Sequence, residues 1–173
     1  MYMFLSARRV VLFGVIAAIV AVIVLLPAIL VTLSGQGITD IKISLNRVEE
    51  MSLNDANKTI SLKVIFAFFN PTDRALTTSR IDYNLTGNDT LLGTSTLSYD
   101  DVPLNGRPQL YPGKTILLQS TFVFTPTAKT SFLFEKLGKD PTITHSMTWS
   151  VKGEAQIDSA FTTLPKVFES SLP

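Results

Sequence analysis

The sequence predicts a mainly β protein: an antiparallel β-sandwich with one short helix, preceded by a single N-terminal transmembrane helix. The first observation behind this prediction is a run of 24 residues without a charge, residues 10–33, near the start of the 173-residue chain. The second is an alternation of apolar and polar residues in several later segments. Period-two alternation is typical of strands that bury one face. Turn signals between these segments complete the pattern.

The uncharged run is long enough to cross a bilayer as a helix. At about 1.5 Å per residue it spans roughly 36 Å, against a hydrocarbon core of about 30 Å. Arg8 and Arg9 precede it. The positive-inside rule therefore predicts a cytoplasmic N-terminus and an extracytoplasmic remainder, in a single-pass protein of the cell membrane. Pro27, late in the run, predicts a kink near the outer interface, which membrane helices tolerate.

A cleaved secretory signal is the alternative for this segment. Such a signal has an apolar core of about 7–15 residues and a small-residue cleavage site. The run in this chain is longer, and residues 31–35, Val-Thr-Leu-Ser-Gly, match a cleavage site poorly. The sequence therefore favours an uncleaved signal-anchor whose residues 10–33 contact the lipid bilayer.

Five segments follow from this division of the chain. They are a cytoplasmic flank (1–9), a transmembrane anchor (10–33), a linker (34–37), a β-sandwich (38–160) and a C-terminal tail (161–173). The part after the anchor holds 13 Lys+Arg against 14 Asp+Glu, because two of the 15 basic residues lie in the flank. A domain so close to neutral lacks the basic surface that nucleic acids or anionic lipids require.

Strands account for most of the predicted sandwich. Five segments carry alternating apolar residues: Ile41/Ile43/Leu45, Ile60/Leu62/Val64/Phe66/Phe68, Ile81/Tyr83/Leu85, Leu91/Gly93/Leu97/Tyr99 and Ile116/Leu118/Phe122/Phe124. A long final strand is predicted over 142–158, with its inner face formed by Ile143, His145, Met147, Trp149, Val151, Ala155 and Ile157. Gly153 falls on this apolar side and predicts a bulge or a bend.

One helix is predicted between the fifth strand and the last. Thr125 suits the N-cap, Pro126 suits the first helical position, and Gly138 suits the position after the end. Phe132 and Leu137 belong to an apolar stripe between these limits. Antiparallel strands with a single short helix are typical of a β-sandwich.

At several of these positions the chain resembles the late-embryogenesis-abundant group 2 (WHy, water stress and hypersensitive response) domain. The residues concerned are the apolar strand and Asn-Pro turn at 64–71, the strand at 81–85, the small residues at 92–94, Pro103, and the strand at 149–155. The resemblance covers roughly residues 38–160. It implies a sandwich of about seven strands with a helix, no enzymatic activity, and a stress or desiccation role, in some members with an N-terminal membrane anchor.

Composition excludes most catalytic and metal chemistry. The chain has no cysteine and a single histidine, His145. Disulfides, zinc-thiolate sites and cysteine nucleophiles are therefore excluded, and a histidine relay lacks partners. We expect His145 to be a buried, hydrogen-bonded core residue. Asp100 and Asp101 are too few for a calcium site of six to eight oxygens and predict a solvated turn. No catalytic residue, cofactor site, metal site or small-molecule substrate is predicted.

Two sets of residues are candidate sites. The glycosylation sequons begin at Asn57, Asn84 and Asn88, of which the first and last lie in predicted turns and Asn84 lies within a strand. The second set is an unbroken apolar segment, residues 64–69, whose members Val64, Ile65, Phe66, Phe68 and Phe69 form either a strand covered on both faces, with the helix as one cover, or an exposed contact for a partner or a bilayer.

These features favour a non-enzymatic, membrane-tethered, extracytoplasmic module with a binding or protective role. The alternative is a structural or accessory subunit of a membrane protein complex. Gly14, Ala17, Ala18 and Ala21 would then let the anchor pack against membrane helices of a partner protein.

Overall fold

In the computed structural model, which describes residues 7–35, 40–54, 56–160 and 162–172, an N-terminal helix precedes eight described strands and a second helix. The elements in chain order are α1 (Ala7–Gly35), β1 (Lys42–Asn54), β2 (Thr59–Phe69), β3 (Leu76–Gly87), β4 (Thr90–Ser98), β5 (Gln109–Leu110), β6 (Thr115–Phe124), α2 (Ser131–Lys139), β7 (Trp149–Asp158) and β8 (Thr163–Leu172). Short 3-10 helices lie at Leu104–Gly106 and Pro141–His145.

The apolar stretch of α1 can cross a membrane by its length and composition, as a membrane span or as a signal sequence. The stretch is Val10–Leu30, with a mean hydropathy of 3.1, and none of it is buried against the rest of the chain. Pro27 lies inside α1, as expected from the sequence. The helix therefore contributes nothing to the core that holds the strands together.

The strands form two antiparallel sheets, which confirms the predicted fold class. One sheet has the order β1-β2-β6, and the other has the order β4-β3-β7-β8, with β5 paired to the start of β3. The sheets face each other across an apolar core in which Trp149, Phe66, Phe68, Phe122 and Phe124 are almost completely buried. Alternation places these side chains inward from three strands, β2 and β6 of one sheet and β7 of the other, so the core joins both sheets.

Aromatic and polar contacts link the two sheets at the centre of this core. The rings of Phe66 and Tyr83 meet edge to face with their centroids 4.9 Å apart. The Tyr83 hydroxyl donates a hydrogen bond of 2.8 Å to Ser120 Oγ on β6. Burial raises the pKa of Tyr83 above its ordinary value, so this hydroxyl remains a donor at neutral pH.

The predicted final strand is wrong over its first half. Residues 141–145 form a 3-10 helix, and β7 begins only at Trp149. Asp140 starts the helix, because its Oδ1 accepts hydrogen bonds from the Thr142 amide (2.9 Å) and the Thr142 hydroxyl (2.6 Å). As a result His145 is exposed, contrary to the prediction of a core histidine, and Thr144 is buried instead.

The helix boundaries also differ from those predicted. Helix α2 begins at Ser131, five residues after Pro126, and Gly138 lies inside its last turn. Thr130 occupies the N-cap position, but its hydroxyl accepts from the Thr127 amide at 2.8 Å in a turn that precedes the helix. This turn delays the helix start.

The predicted C-terminal tail, 161–173, is largely a strand. Strand β8 pairs with β7 from Thr163 to Leu172 without a register shift. The sandwich therefore extends beyond residue 160. The sequence signal was weak because β8 contains Pro165 and Lys166, and in the whole strand Phe168 alone is a fully buried apolar residue.

Two glycine positions correct the predicted local geometry. In β4 a register shift next to Gly93, whose φ is +151°, turns Leu91 outward and Leu92 inward, so the predicted inner face fails at Leu91. Gly153 produces no bulge, because β7 pairs regularly around it. The Cβ of any other residue there would collide with the Asp82 carbonyl oxygen, so glycine permits the close approach of β3.

Candidate functional sites

The apolar segment at 64–69 belongs to the core. Val64, Phe66 and Phe68 have no exposed surface, and Ile65 is 4% exposed on the opposite face of β2. Phe69 is half-buried. In this structure the segment therefore presents no exposed apolar contact along its length, and the covered-strand prediction describes it better.

The cover over the second face of β2 differs from the predicted one. Helix α2 packs at the end of the sandwich, where Phe134 meets the ring of Phe124 at a centroid distance of 6.0 Å. Ile65 instead pairs with Arg47 of β1, and Lys63 lies two residues before it on the same face of β2. Glu49 forms ion pairs with Arg47 at 3.2 Å and with Lys63 at 3.7 Å. The aliphatic stems of such long side chains can cover a neighbouring apolar residue.

The Asn-Pro turn after β2 is a structural clasp. Asn70 is completely buried. Its Nδ2 donates to the carbonyl oxygens of Arg74 and Leu110, each at 2.7 Å, and its Oδ1 accepts from the amide (3.0 Å) and the hydroxyl (2.7 Å) of Thr72. Its backbone also bonds to the turn before β6, through Lys114 and Gly113. The motif thus joins β2 to β5 and β6.

A second clasp lies at the same end of the sandwich. The Asp158 carboxylate, with a side chain 5% exposed, accepts from Arg107 Nη1 at 2.9 Å and from the Thr163 hydroxyl at 2.6 Å. Arg107 Nε also donates to the Val102 carbonyl at 2.9 Å. The pair ties the loop before β5 to the turn between β7 and β8. Its members are 51 residues apart, so no local sequence signal announces it.

The outer face of the five-stranded sheet carries several hydrogen-bonded charged side chains. Arg80 and Asp82 form two hydrogen bonds of 2.7 and 3.1 Å, and Thr96 adds a third to the same carboxylate at 2.5 Å. These contacts, the Arg80 bond first, hold the pKa of Asp82 below its ordinary value. Lys152 and Glu169 make a further exposed pair at 3.1 Å. Charged and polar side chains therefore predominate in this part of the face.

The sequon residues lie where the sequence predicts. Asn57 is exposed in the turn between β1 and β2, and Asn88 is exposed in the turn between β3 and β4. Asn88 is the more constrained, because its Oδ1 accepts from the Thr148 amide at 3.0 Å. Asn84 lies within β3, paired on both sides. Glycosylation at any of the three stays a prediction.

Among the described residues no three His, Cys, Asp or Glu side chains come together as metal ligands. Asp100 and Asp101 are exposed in a turn after β4, as expected. His145 lies at the opposite end of the sandwich, at the end of its 3-10 helix. Apart from the Arg107–Asp158 clasp, the ion pairs among the described residues lie at or near the surface.

Neither a protein-family profile nor a curated protein matches the sequence. Solved structures of similar fold include a protein from Archaeoglobus fulgidus (15% identity, 75% of this chain and 94% of that chain, TM-score 0.43) and one from Arabidopsis thaliana (12%, 75% and 79%, 0.49). A candidate late embryogenesis abundant (LEA) protein is a third (14%, 100% and 95%, 0.41). At these identities and scores the similarity concerns the chain path. The fold and the sites define this protein as a β-sandwich domain that follows an apolar helix.

Proposed function

We propose that this protein is a non-enzymatic, membrane-tethered β-sandwich module that acts outside the cytoplasm in a binding or protective role. The observation that carries the proposal is the combination of a fully exposed apolar stretch, Val10–Leu30, with a sandwich whose described titratable groups form no reactive cluster. The protective part of the proposal follows the residue pattern that resembles the WHy domain.

The tether is supported by the physical cost of leaving α1 in water. Residues such as Ile23 and Val24 are each 65% exposed, and no part of the sandwich covers the stretch. Contiguous apolar surface of this size is rare on soluble proteins and marks a membrane or a partner. The basic pair Arg8 and Arg9 supports an N-terminus in the cytoplasm.

The non-enzymatic assignment is supported by the arrangement of polar groups. A nucleophile needs a base within hydrogen-bond reach and a third group that orients the base. The Asp158 carboxylate is committed to Arg107 and Thr163, and the Asp82 carboxylate to Arg80 and Thr96. Both carboxylates therefore serve structure.

A structural subunit of a membrane complex is the second candidate function. Gly14, Ala17, Ala18 and Ala21 lie close together on α1, and all four are exposed. Small residues let membrane helices approach closely. This candidate predicts that the protein leaves the membrane in a stoichiometric assembly with another chain.

Membrane fractionation tests the tether. We expect the full chain to stay with the membrane after a high-salt wash, and a variant lacking residues 10–33 to be released with its fold intact. The matched control keeps residues 10–33 and replaces Arg8 and Arg9 by Gln. This change should alter the orientation of the helix in the membrane and leave the protein attached. A deletion variant that remains membrane-bound would contradict α1 as the single attachment.

Protease accessibility and crosslinking test the rest. A protease added outside intact cells should digest the sandwich, and its protection there would overturn the proposed orientation. Crosslinking before detergent extraction separates the two candidate functions. A stoichiometric complex with a different chain supports the structural subunit, whereas this chain without a different partner supports the module.

A further inference from the structure

Each sheet of the sandwich ends in two edge strands, and the edges on the two sides of the sandwich have different neighbours. On one side β1 and β8 approach each other, and the Leu45 amide donates to Ser170 Oγ at 3.0 Å. On the other side β4 and β6 are neighbours, with the Phe122 ring next to Gly93. Within the described residues no backbone pairing connects β4 to β6, so each keeps a free edge there.

Natural proteins protect free edges with charges, prolines or bulges, because an exposed edge pairs readily with another strand. Strand β1 carries charges and two register shifts, β8 carries Pro165, Lys166 and Glu169, and β4 carries the irregularity at Gly93. Strand β6 has none of these devices. Its ten residues, TILLQSTFVF, contain no charge and no proline, and they pair with β2 without a shift.

The outward face of β6 carries two exposed apolar side chains and no charge. Leu117 is 56% exposed and Val123 is 57% exposed, with Gln119 and Thr121 exposed between them. Their inward neighbours Leu118, Phe122 and Phe124 belong to the core, and β6 pairs with β2 along its whole length. The free edge is thus a preformed, uncharged template for strand addition.

We propose that β6 pairs antiparallel with β6 of a second copy of this chain, about a two-fold axis at Ser120. Centred there, Leu117 lies opposite Val123 of the second copy, and Gln119 lies opposite Thr121. Both exposed apolar residues then gain an apolar neighbour, and no like charges meet. A pairing centred on Gln119 would set Leu117 against Thr121 and lose this match. The two three-stranded sheets become one sheet of six strands.

Two copies in one bilayer can form this pair. A two-fold axis along the membrane normal lays the paired strands parallel to the bilayer. Residues 36–41 separate α1 from β1, and an extended segment of that length reaches roughly 20 Å. Each segment must lead from its sandwich to the bilayer, a distance comparable with half the width of a small domain. Both anchors can therefore enter the same membrane.

Cysteine crosslinking of the full chain in detergent tests the register. Because the sequence contains no cysteine, any disulfide must form between the introduced residues. Leu117→Cys and Val123→Cys are prepared separately. Directly opposite Cβ atoms lie about 5 Å apart, whereas the two copies of either residue lie roughly 20 Å apart. With copper-phenanthroline as oxidant, a mixture of the two variants should therefore form a disulfide dimer, and neither variant alone should do so.

Val167→Cys, on the equally exposed edge strand β8, is the matched control and should crosslink with neither variant. Molar mass from light scattering gives the second measurement. The wild-type chain should be a dimer, and Gln119→Lys/Thr121→Lys should weaken dimerisation by about tenfold or more, since lysines then meet lysines. Val167→Lys should leave the dimer unchanged. A wild-type monomer throughout the accessible concentration range, or equal crosslinking in every mixture, would overturn the proposal.

Discussion

The two ends of the sandwich are held by different chemistry. At the end where β1 begins, the loops are fixed by buried polar clasps, Asn70 with its backbone partners and Arg107 with Asp158. At the opposite end, α2 and the 3-10 helix close the core with apolar side chains. Trp149 is 2% exposed there, and Leu133 and Leu137 of α2 are buried.

This difference follows from what each end must do. The clasped end gathers four connections, and their backbone groups need hydrogen-bond partners wherever they are buried. At the capped end the apolar core would otherwise face water, and a helix with one apolar stripe is suited to cover it. Polar clasps fix register, whereas an apolar cap mainly contributes burial energy.

The largest expected effect breaks the apolar cap. Trp149→Ala should lower the free energy of unfolding by about 3–5 kcal/mol, because it removes a buried indole and its 2.8 Å hydrogen bond to the Thr144 carbonyl. Phe132→Ala is the matched control at the same end, since that ring is 59% exposed, and it should cost less than about 0.5 kcal/mol. Urea denaturation followed by circular dichroism measures both. A loss below about 1 kcal/mol for Trp149→Ala would contradict the capped core.

The next effect breaks the polar clasp. Asn70→Ala should cost about 2–3 kcal/mol, because it leaves the buried Leu110 carbonyl without its side-chain donor and removes the acceptor of the Thr72 amide. Asn84→Ala, at an exposed position of β3, should change stability by less than about 0.5 kcal/mol. Equal effects in the two variants, measured by the same denaturation, would mean that the clasp contributes little.

The sequence predicts the clasped end and the capped end unequally. The strands β2 and β6, each with an apolar residue at every second position over most of its length, match the prediction, since a repeated apolar face has one physical solution in a sheet. The sequence shows the Asn-Pro turn as a pattern. It does not show that Asn70 forms a clasp, because the Leu110 carbonyl that Asn70 binds is 40 residues away along the chain. Contacts across such distances leave no local trace in a single sequence.

The errors at the capped end have a common cause. Residues 142–148 continue the alternation of β7, yet Asp140 offers its side chain to the following backbone and starts a 3-10 helix instead. Local hydrogen bonds of this kind compete with strand formation. Strand β8 has the opposite cause. Its own mixed composition does not predict a strand, and its pairing with β7 determines that it forms one.

A smaller effect sharpens the explanation of the 3-10 helix. Hydrogen bonds from Thr142 hold the pKa of Asp140 below its ordinary value. A depressed folded-state pKa contributes stability that is present at neutral pH and is lost as the pH falls through that pKa. Asp140→Asn keeps an acceptor oxygen but does not titrate. The melting temperature of the wild type should therefore fall more on acidification below pH 4 than that of the variant, and identical pH profiles would argue against the cap.

The smallest effect separates the two assignments of residues 144 and 145. If the strand alternation continued, His145 would be inside and Thr144 outside. In the structure His145 is exposed, and Thr144 is buried with 3% of its surface exposed. His145→Gln should therefore change the free energy of unfolding by less than about 0.5 kcal/mol, and Thr144→Ala should cost about 1–2 kcal/mol. Urea denaturation at constant pH compares the two variants directly. The reverse order would return residues 142–148 to the strand and place the imidazole in the core.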